Sequence, residues 1–481
     1  MEINVEKLSD FKFEIKKDAG RGMKTGVVVY ASETLIEKIK KDRTLEQAAN
    51  AATLPGLVGN VLVMPDGHEG YGFPIGGVAA SDAEEGIISP GAVGFDINCG
   101  MKLVKTNLTE KDIRPKLGQL ADALFKNVPS GVGSKLNLDI NGNDLEKICE
   151  EGMQYMVSKG FGNSEDVEVT EENGFMKDAD FSKVSEEAKR RGLHELGTLG
   201  AGNHFLEVQK VEKILDEKTA RAYGLEQGQI VVMVHCGSRG FGHQICSDYL
   251  RILNEYQRNK GIVLADRELS YAHIKDKEAQ DYLDAMKCAV NYAFTNRQLI
   301  IHAIRESFSG VFGKRPESMG MDVLYDVAHN IAKLEEHEVE GKKVKVFVHR
   351  KGATRAFPKG RNEVPKKYRG TGQPVLIPGS MGTSSYVLCG AEGSLKETFG
   401  SSCHGAGRVM SRHEAVREIP ESKTFDSLES KNILIRIKSR KLVSEEAEWA
   451  YKDIDEVVKT VENAGISRIV SKNLPVCVIK G

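Results

Sequence analysis

Short apolar runs recur along the chain and predict β-strands. The run at 230–235 is apolar up to its final histidine, and the run at 344–349 opens with alternating valine and lysine before it becomes apolar. Strands are predicted at 27–31, 61–64, 101–106, 230–235, 344–349, 374–377 and 476–479. The stretch 65–77, PDGHEGYGFPIGG, is punctuated by glycine and proline and is predicted to be a loop.

Apolar residues three or four positions apart predict helices between these strands. In the longest helix, Tyr282, Met286 and Ala289 fall on one face. Thr109 followed by Asp112 matches the pattern of a capping box, which marks the start of a helix. Helices are predicted at 44–54 with Thr44 as the N-cap, 109–128, 243–257, 278–308 and 444–464, the last carrying the single tryptophan, Trp449.

The order of these elements predicts the fold class. Strands and helices mix without a regular βαβ rhythm or a repeat, and no linker rich in proline, glycine or serine divides the chain. We therefore expect an α+β fold, a single large domain over 1–481 with mixed, largely antiparallel sheets flanked by helices around a central metal site. The polar stretch at about 131–195 is predicted to be a peripheral subregion.

Composition and charge narrow the class of protein. Of 481 residues, 40% are hydrophobic and 28% charged, as in ordinary globular proteins, and the net charge of −2 does not by itself indicate nucleic-acid binding. The eight cysteines form no CxxC pair, and neither an apolar leader nor a run of about 18 apolar residues is present. Reduced thiols and a cytoplasmic location are therefore expected.

The segment 90–100, PGAVGFDINCG, holds the first candidate for chemistry. Asp96 and Cys99 lie three residues apart between glycines, so one turn could offer a carboxylate and a thiolate to a divalent cation. The alternative is a tight turn with a buried cysteine. That alternative is favoured if the segment is considered alone.

Four histidines in strand-end or glycine-rich contexts change this balance. They are His204 after GAGN, His235 at the end of a predicted strand, His329 in YDVAHN and His404 in SSCHGAG. Any one of them alone is more often a core or surface residue. Together with a carboxylate and a thiol they predict a catalytic transition-metal site with an open coordination position.

Glycine-rich loops accompany these residues and could present backbone N–H groups to phosphate oxygens. The loops GAGN, CGSRG, PGSMG and HGAG match neither a P-loop nor a dinucleotide-binding fingerprint, and tight turns between strands remain an alternative. Lys351, Arg355, Arg408 and Arg412 could supply positive charge, or could form solvated faces. The residues alone thus predict a metal-dependent enzyme that acts on a phosphate ester.

Nine segments, in order and spacing, resemble the RtcB-type RNA ligases of tRNA splicing and RNA repair. They are DGHEGYGFPIGG, FDINCG, GAGNHFLEV, HCGSRGFGHQ, DVAHN, HRKGATRAFP, PGSMGTSSY, SSCHGAGR and the terminal Lys480–Gly481, so the resemblance runs from about residue 25 to the end. It implies an enzyme that joins an RNA end bearing a 3′-phosphate or 2′,3′-cyclic phosphate to a 5′-hydroxyl, using GTP and two Mn²⁺ ions. It also suggests archease as an activating partner and a monomeric state.

The resemblance assigns roles to individual residues. His404 would be the nucleophile that takes GMP from GTP. The metal ligands would be Asp96, Cys99, His204, His235 and His329, with Cys99 bridging the two ions. The GTP pocket would comprise Asn203, His204, Phe205, Leu206, Glu207, His329, Asn330, Pro378, Gly379, Ser380, Met381, Ser385, His404, Gly405, Ala406, Gly407, Tyr451 and Lys480. Residues expected to contact RNA are Asn98, Arg239, Lys351, Arg355, Arg408 and Arg412.

The choice of metal depends on the resemblance. One thiol with three imidazoles favours Zn²⁺ on general grounds, because Mn²⁺ prefers oxygen ligands. Cys236, directly after His235, is expected to be a packing residue on the opposite face of the strand.

Two other functions remain open at this point. A metal-dependent cyclic phosphoesterase would use the same cluster without His404 or the GTP pocket. A non-catalytic RNA-binding subunit would bind RNA through phosphate contacts alone, with affinity that falls steeply with salt.

Overall fold

The computed structural model describes residues 3–131, 133–135 and 138–481. Its strands are β1 (Glu6–Ser9), β2 (Lys12–Ile15), β3 (Val27–Tyr30), β4 (Leu57–His68), β5 (Ile75–Asp82), β6 (Ile87–Ile88), β7 (Gly100–Thr109), β8 (Phe205–Ile214), β9 (Gln229–Cys236), β10 (Ala272–His273), β11 (Val323–Ala328), β12 (Asn330–Val339), β13 (Lys342–Lys351), β14 (Ala353–Arg355), β15 (Pro374–Ile377), β16 (Ser385–Gly390), β17 (Ser401–Cys403), β18 (Leu434–Ile437) and β19 (Ser467–Lys480). Its α-helices are α1 (Glu33–Ile39), α2 (Thr44–Ala51), α3 (Pro90–Val93), α4 (Glu110–Ile113), α5 (Leu117–Asn127), α6 (Gly142–Glu151), α7 (Met153–Ser158), α8 (Ser164–Glu168), α9 (Glu186–Glu195), α10 (Glu217–Tyr223), α11 (Arg239–Asn259), α12 (Lys277–Phe312), α13 (Glu392–Glu397), α14 (Arg412–Glu418), α15 (Glu421–Ser430), α16 (Lys441–Glu445) and α17 (Ile454–Asn463).

Two large sheets form the centre of the fold. The first has the strand order β1-β2-β3-β4-β5-β13-β12, and the second β11-β7-β9-β8-β19-β16-β15 with β18 beside β19. Neighbouring strands in both sheets are antiparallel, except for the parallel pairs β3/β4 and β18/β19. The predicted α+β class with mixed, largely antiparallel sheets is confirmed.

The antiparallel order of the second sheet brings distant residues to one edge. Because neighbours run in opposite directions, the starts of β7 and β8 lie beside the ends of β9 and β11. Gly100 pairs with Ala328 on one side and with Cys236 on the other, and His235 pairs with Phe205. The end of β19 reaches the same edge, where Ile479 pairs with Leu206.

The longest helix, α12, was predicted at 278–308 and spans Lys277–Phe312, so its prediction is confirmed. Around it pack α5, α6, α7 and α11. This environment explains why the middle of α12 is buried on every side rather than along one stripe. The described part of residues 131–195 holds the short helices α6 to α9, and its predicted status as a peripheral subregion of a 1–481 domain stays a prediction. Among the described residues, no helix is both long and apolar enough to cross a membrane.

Several predicted boundaries hold and others do not. The capping box of Thr109 and Asp112 is present, although a 3₁₀ turn at Arg114–Lys116 separates α4 from α5. The helix predicted at 243–257 begins earlier, at Arg239. Thr44 lies inside α2, and Arg43 is the N-cap residue.

Two predictions were wrong. The single helix expected at 444–464 is three pieces, α16, a 3₁₀ turn at Glu448–Ala450, and α17, because the Asp453 side chain caps a new helix by accepting from the Asp455 N–H. The stretch 65–77 is not all loop. Strand β4 continues to His68, which pairs with Ile75 of β5 across an irregular register that accommodates Pro65.

Candidate active site

The five side chains expected to bind metal converge at the edge of the second sheet. Cys99 Sγ lies 3.2 Å from His235 Nε2 and 3.3 Å from His204 Nε2. His204 Nε2 is also 2.9 Å from Asp96 Oδ2, and His235 Nε2 is 3.3 Å from His329 Nε2. The five groups therefore form a continuous array with the thiol at its centre.

Local backbone geometry makes the first part of this array. The Cys99 N–H donates to the Asp96 carbonyl at 2.9 Å, closing a turn, and Asn98 takes a positive φ of 54° within it. Asparagine tolerates this left-handed conformation better than most residues. The turn places the carboxylate and the thiol side by side, directly before β7 begins.

The donor chemistry fits a transition metal. The ligand atoms of Cys99, His204 and His235 all lie within 4.8 Å of one another, and all three residues are buried. His235 and His329 meet Nε2 to Nε2, and two neutral imidazoles in that arrangement can share only one proton. The Nδ1 of His329 is also buried and has no hydrogen-bond partner among the described residues. A cation at the cluster would satisfy these facing nitrogens.

Burial shifts the pKa values of the side chains in the metal-free cluster. Burial, with nearby histidine rings, holds the pKa of His235 and of His329 well below the usual range, so both imidazoles are neutral and able to ligate. Burial and the neighbouring Asp96 raise the pKa of the Cys99 thiol to about 12. A metal that takes Cys99 as a ligand must therefore displace a proton.

His404 lies at the far end of the array, next to His329, with ring centroids 4.9 Å apart. Its Nδ1 is 2.5 Å from Asp66 Oδ2, and the same carboxylate oxygen accepts the backbone N–H groups of His404 at 2.8 Å and Gly405 at 3.2 Å. Burial alone would raise the pKa of Asp66, but His404 and Lys452 outweigh it, and the pKa is lowered. An ionised Asp66 accepts the Nδ1–H of His404, so the Nε2 of the neutral ring keeps a free lone pair.

The segment around Asp66 is itself fixed. The buried Lys452 ammonium donates to the carbonyls of Pro65 and Gly67. Gly407 has a φ of +74°, and a Cβ there would lie 2.1 Å from the Asp66 carbonyl oxygen, so only glycine allows this approach. The HGAG turn and the PDGH strand are therefore packed backbone to backbone.

A second cluster of polar side chains lies beside the ligand array. Lys480 Nζ donates to the Gly202 carbonyl at 2.5 Å and to Glu446 Oε2 at 3.2 Å. Tyr451 donates its hydroxyl to the same Glu446 carboxylate, and the Arg408 guanidinium lies 4.9 Å from the Tyr451 ring centre. This cluster sets the one carboxylate of Glu446 against the two cations Lys480 and Arg408, which leaves net positive charge for an anionic ligand.

Glu207 and its neighbours continue this cluster. Gln209 Nε2 donates to Glu207 Oε2 at 2.7 Å and to Ser385 Oγ at 3.1 Å, and Ser385 Oγ also accepts the Gly379 N–H. Burial raises the pKa of Glu207 to about 7, although Gln209 and Lys480 oppose the shift. A buried carboxyl that titrates near neutrality suits a site where it exchanges its proton for a ligand's hydrogen-bond donors.

The remaining residues expected in the pocket fall around these two groups. Asn330 joins the clusters, since its Nδ2 donates to the Asp96 carbonyl and its Oδ1 accepts the Gly352 N–H. Phe205 lies with its ring 5.6 Å from that of His235, and Asn203 is exposed. Four others in the predicted set are buried, and among them Leu206 belongs to the apolar core: Leu206, Ser380, Met381 and Ala406.

The comparisons with known proteins bear on this geometry. A family model described as tRNA-splicing ligase RtcB matches residues 47–481. The chain belongs to this family. The resemblance inferred from the sequence motifs is thereby confirmed.

Three relatives, each named tRNA-splicing ligase RtcB, match over their full lengths. The relative from Thermococcus kodakarensis is 55% identical over 479 residues, which cover 100% of this chain and 99% of the relative. The relative from Pyrobaculum aerophilum is 52% identical, with 100% and 99% covered, and that from Archaeoglobus fulgidus is 51% identical, with 100% of both covered.

Three of the residues expected to contact RNA are buried and engaged elsewhere. Asn98 donates to the Val290 carbonyl, and its own oxygen accepts from an arginine of α12. Lys351 donates to two backbone carbonyls, and Arg355 forms ion pairs with Glu171 and Glu172. The structure therefore does not support direct RNA contacts by these three residues, because their polar groups are already used inside the protein.

The other three basic residues stay close to the site. Arg239 and Arg412 both lie against the loop 200–203, since a Cβ on Gly200 would contact Arg239 and a Cβ on Gly202 would contact Arg412. The Arg239 side chain is 9% exposed and donates to Thr198 Oγ1 and to the Gly131 carbonyl, so it too is engaged inside the protein. The Arg412 side chain is 56% exposed. Arg408 is half-buried and belongs to the cluster with Glu446.

Sequence reasoning missed several residues that shape the site. Asp66 lies in the DGHEGYGFPIGG segment on which the resemblance depends, but no role was assigned to it. Glu446 gave no signal, because it lies in a segment predicted as plain helix. The expected packing residue Cys236 is buried, with its Sγ donating to the Thr198 carbonyl at 3.4 Å, and also lies 3.8 Å from His204 Nδ1.

Of the residues that sequence reasoning missed, Arg297 of α12 makes the most hydrogen bonds near the site. Its guanidinium donates from Nη1 to the carbonyls of Asn98, at 2.7 Å, and Cys236, at 2.9 Å, and from Nε to Asp326 Oδ1 at 2.8 Å. Those three partners lie one, one and three residues from the expected ligands Cys99, His235 and His329. An arginine in the apolar middle of a predicted helix was the available signal.

Asn296 complements Arg297 on the same turn of α12. Its Oδ1 accepts the N–H groups of Gly197 and Thr198, and its Nδ2 donates to the Gly237 carbonyl at 3.1 Å. The pair thus connects one helix to the segments before His204 and after His235 as well.

Proposed function

We propose that this chain is a GTP- and Mn²⁺-dependent RNA ligase that joins a 3′-phosphate or 2′,3′-cyclic phosphate end to a 5′-hydroxyl end through a His404–GMP intermediate, in tRNA splicing and RNA repair. Membership of the tRNA-splicing ligase family supports the RNA substrate. The observation that carries the chemistry is the Asp66–His404 pair, placed directly beside the Cys/His/Asp array. An activating partner such as archease and a monomeric, cytoplasmic enzyme belong to the same proposal.

The first step is the transfer of GMP to His404. Its Nε2 lone pair attacks the α-phosphorus of GTP, an N–P bond forms, and the bond to the pyrophosphate oxygen breaks. The proton stays on Nδ1, which donates it in a hydrogen bond to Asp66, so the carboxylate stabilises the positive charge that develops on the ring. Pyrophosphate leaves with the electron pair.

The next two steps use that activated GMP. An oxygen of the RNA 3′-phosphate attacks the phosphorus bound to His404, which breaks the N–P bond and leaves GMP on the RNA end. The 5′-hydroxyl then attacks the 3′-phosphorus and loses its proton to water, the phosphodiester forms, and GMP leaves with the electron pair of the broken P–O bond. A cyclic phosphate must first be opened by water, which supplies the 3′-phosphate.

The ligand array supports the metal part of the proposal. Asp96, Cys99, His204, His235 and His329 would hold two Mn²⁺ ions, and Cys99, whose Sγ lies at the centre of the array, would be the ligand that the two ions share. When bound, the ions would neutralise phosphate charge and polarise the reacting oxygens.

Guanine recognition is assigned to Glu207 and Lys480. An ionised Glu207 can accept from the guanine N1–H and N2–H₂ together, which no other base offers in that arrangement. The cluster of Lys480, Arg408 and Tyr451 lies next to it, and the exposed Arg412, against the loop 200–203, would take an RNA phosphate. A cyclic phosphoesterase or a non-catalytic RNA-binding subunit would leave the Asp66–His404 pair and the Glu207 cluster without a role.

The test is incubation with α-labelled GTP and Mn²⁺ in the absence of RNA, followed by a denaturing gel. We expect acid-labile label on the wild type and none on His404→Ala. His413→Ala, at an exposed histidine of α14, is the matched control and should label normally. An unlabelled wild type that hydrolyses cyclic phosphate would establish the phosphoesterase instead.

A further inference from the structure

An exposed aromatic ring lies at the rim of the site and has no part in the chemistry above. Tyr71, in the loop between β4 and β5, is 63% exposed. Its ring meets the ring of Phe95 edge-on, with centroids 5.7 Å apart at 85°. Phe95 in turn stacks on His243 at 4.9 Å and 27°. Three rings therefore form one connected group, with Phe95 in the middle and the exposed Tyr71 and His243 at its two ends.

The loop between β4 and β5 links this group of rings to His404. The loop leaves β4 at His68, whose ring centroid is 6.4 Å from that of His404. It reaches Tyr71 three residues later, in contact with Phe95, which directly precedes the ligand Asp96. The loop thus leads from the neighbourhood of His404 to that of Asp96.

The backbone on which Tyr71 is mounted is fixed. The buried Lys351 ammonium donates to the Tyr71 carbonyl at 2.6 Å and to the Gly91 carbonyl at 3.0 Å, which ties this loop to α3, the short helix that ends two residues before Phe95. Gly72 has a φ of +66°, and a Cβ there would lie 2.8 Å from the Glu268 carbonyl carbon. A ring held in place before a ligand arrives loses little conformational entropy on binding.

We propose that Tyr71 is a stacking platform for the terminal base of the RNA strand that bears the 3′-phosphate. The inference rests on the proposed function, because it takes RNA as the substrate. The 3′-phosphate must reach both His404 and the ligand array, and the loop that carries Tyr71 joins those two places. The base of the same nucleotide is the group that falls against the loop. Unpaired bases bind proteins chiefly by stacking on aromatic side chains, with little dependence on sequence.

This assignment gives Lys351 a positioning role. Lys351 would not touch RNA itself. Its buried ammonium holds the backbone of the loop that presents Tyr71. The outward face of Tyr71 serves the base, while its edge rests on Phe95.

The experiment measures the binding of a single-stranded RNA with a 3′-phosphate and 2-aminopurine as its last base, with Mn²⁺ and without GTP so that no transfer occurs. Stacking on Tyr71 quenches the 2-aminopurine fluorescence. We expect Tyr71→Ala to weaken binding roughly 5- to 100-fold and to abolish the quenching, and Tyr71→Phe to bind within about twofold of the wild type. Leu8→Ala, which removes a half-exposed apolar side chain on the edge strand β1, is the matched control and should not change affinity.

A second RNA, abasic at its last nucleotide, separates stacking from other effects. It should bind the wild type as weakly as the complete RNA binds Tyr71→Ala, and Tyr71→Ala should cause no further loss. Equal affinity of wild type and Tyr71→Ala for the complete RNA would overturn the platform, as would a dependence on Tyr71 seen only for a 5′-hydroxyl strand. A wild type that binds neither RNA would overturn the RNA substrate itself, whereas His404 labelling by GTP tests the nucleotide chemistry separately.

Discussion

Replacing Arg297 by lysine should weaken metal binding without touching any ligand. The arginine makes four hydrogen bonds, to Asp326 Oδ1, to the carbonyls of Asn98 and Cys236, and to Asn98 Oδ1. A lysine ammonium near Asp326 can reach at most one of the two carbonyls. The other carbonyl is left buried without a hydrogen bond, next to Cys99 or His235, which are expected metal ligands.

The magnitude follows from these contacts. Each hydrogen bond to a charged group contributes about 1.5–3 kcal/mol, so two lost bonds cost roughly 3–6 kcal/mol of native stability. Metal affinity falls only by the fraction of this free-energy cost that comes from displacing the turns that carry Cys99 and His235. Loss of a group that orients metal ligands typically lowers affinity about 10- to 100-fold, which is the effect we expect for Mn²⁺.

The same helix provides a matched control. Arg305 also makes four hydrogen bonds, to both oxygens of Asp166 and twice to the Met321 carbonyl, and it touches none of the ligand-bearing segments. Arg305→Lys should lower the melting temperature to a similar degree but leave Mn²⁺ affinity within about twofold, since a buried pair elsewhere costs stability alone.

Isothermal titration of the metal-free proteins with Mn²⁺, below the melting temperature of each, measures the difference. Asn296→Ala removes bonds to Gly197, Thr198 and Gly237 and is a milder variant that should also weaken metal binding. Equal Mn²⁺ affinities for Arg297→Lys and Arg305→Lys, at equal losses of stability, would refute the reasoning.

Two further predictions concern the nucleotide chemistry. Asp66→Asn should slow labelling of His404 by GTP roughly 10²- to 10⁴-fold in single-turnover experiments, because an amide no longer secures the proton on Nδ1, and an unchanged rate would contradict the role of Asp66. The carboxyl of Glu207, whose pKa is about 7, is protonated below that pH and must lose its proton to accept from guanine. The affinity of metal-free protein for GMP should therefore rise about tenfold per pH unit up to about pH 7 and stay level above it. Isothermal titration over this range checks the slope, Glu207→Gln should remove it, and a slope that persists in that variant would assign it to another group.

The sequence determined the local features of this protein. A capping box at Thr109, the long helix around residue 290 and the strand at Pro374–Ile377 follow from hydrogen-bonding side chains and apolar periodicity within a few residues. The turn that brings Asp96 beside Cys99 is equally local. The residue types at the ligand positions also identified the family, since nine ordered motifs are specific without any knowledge of their arrangement in space.

Tertiary structure decided which of these residues meet and which basic groups remain available. Cys99, His204, His235 and His329 lie at one edge because antiparallel neighbours bring strand starts beside strand ends, and the strand order that does so is set by packing between distant segments. The ionised form of Asp66 and the burial of Arg355 have the same origin. A periodic pattern records which face of an element is buried, but not what that face meets. Pairing between residues more than a hundred positions apart depends on the strand order of the whole sheet. That strand order determines which charged and metal-binding side chains of the site become neighbours.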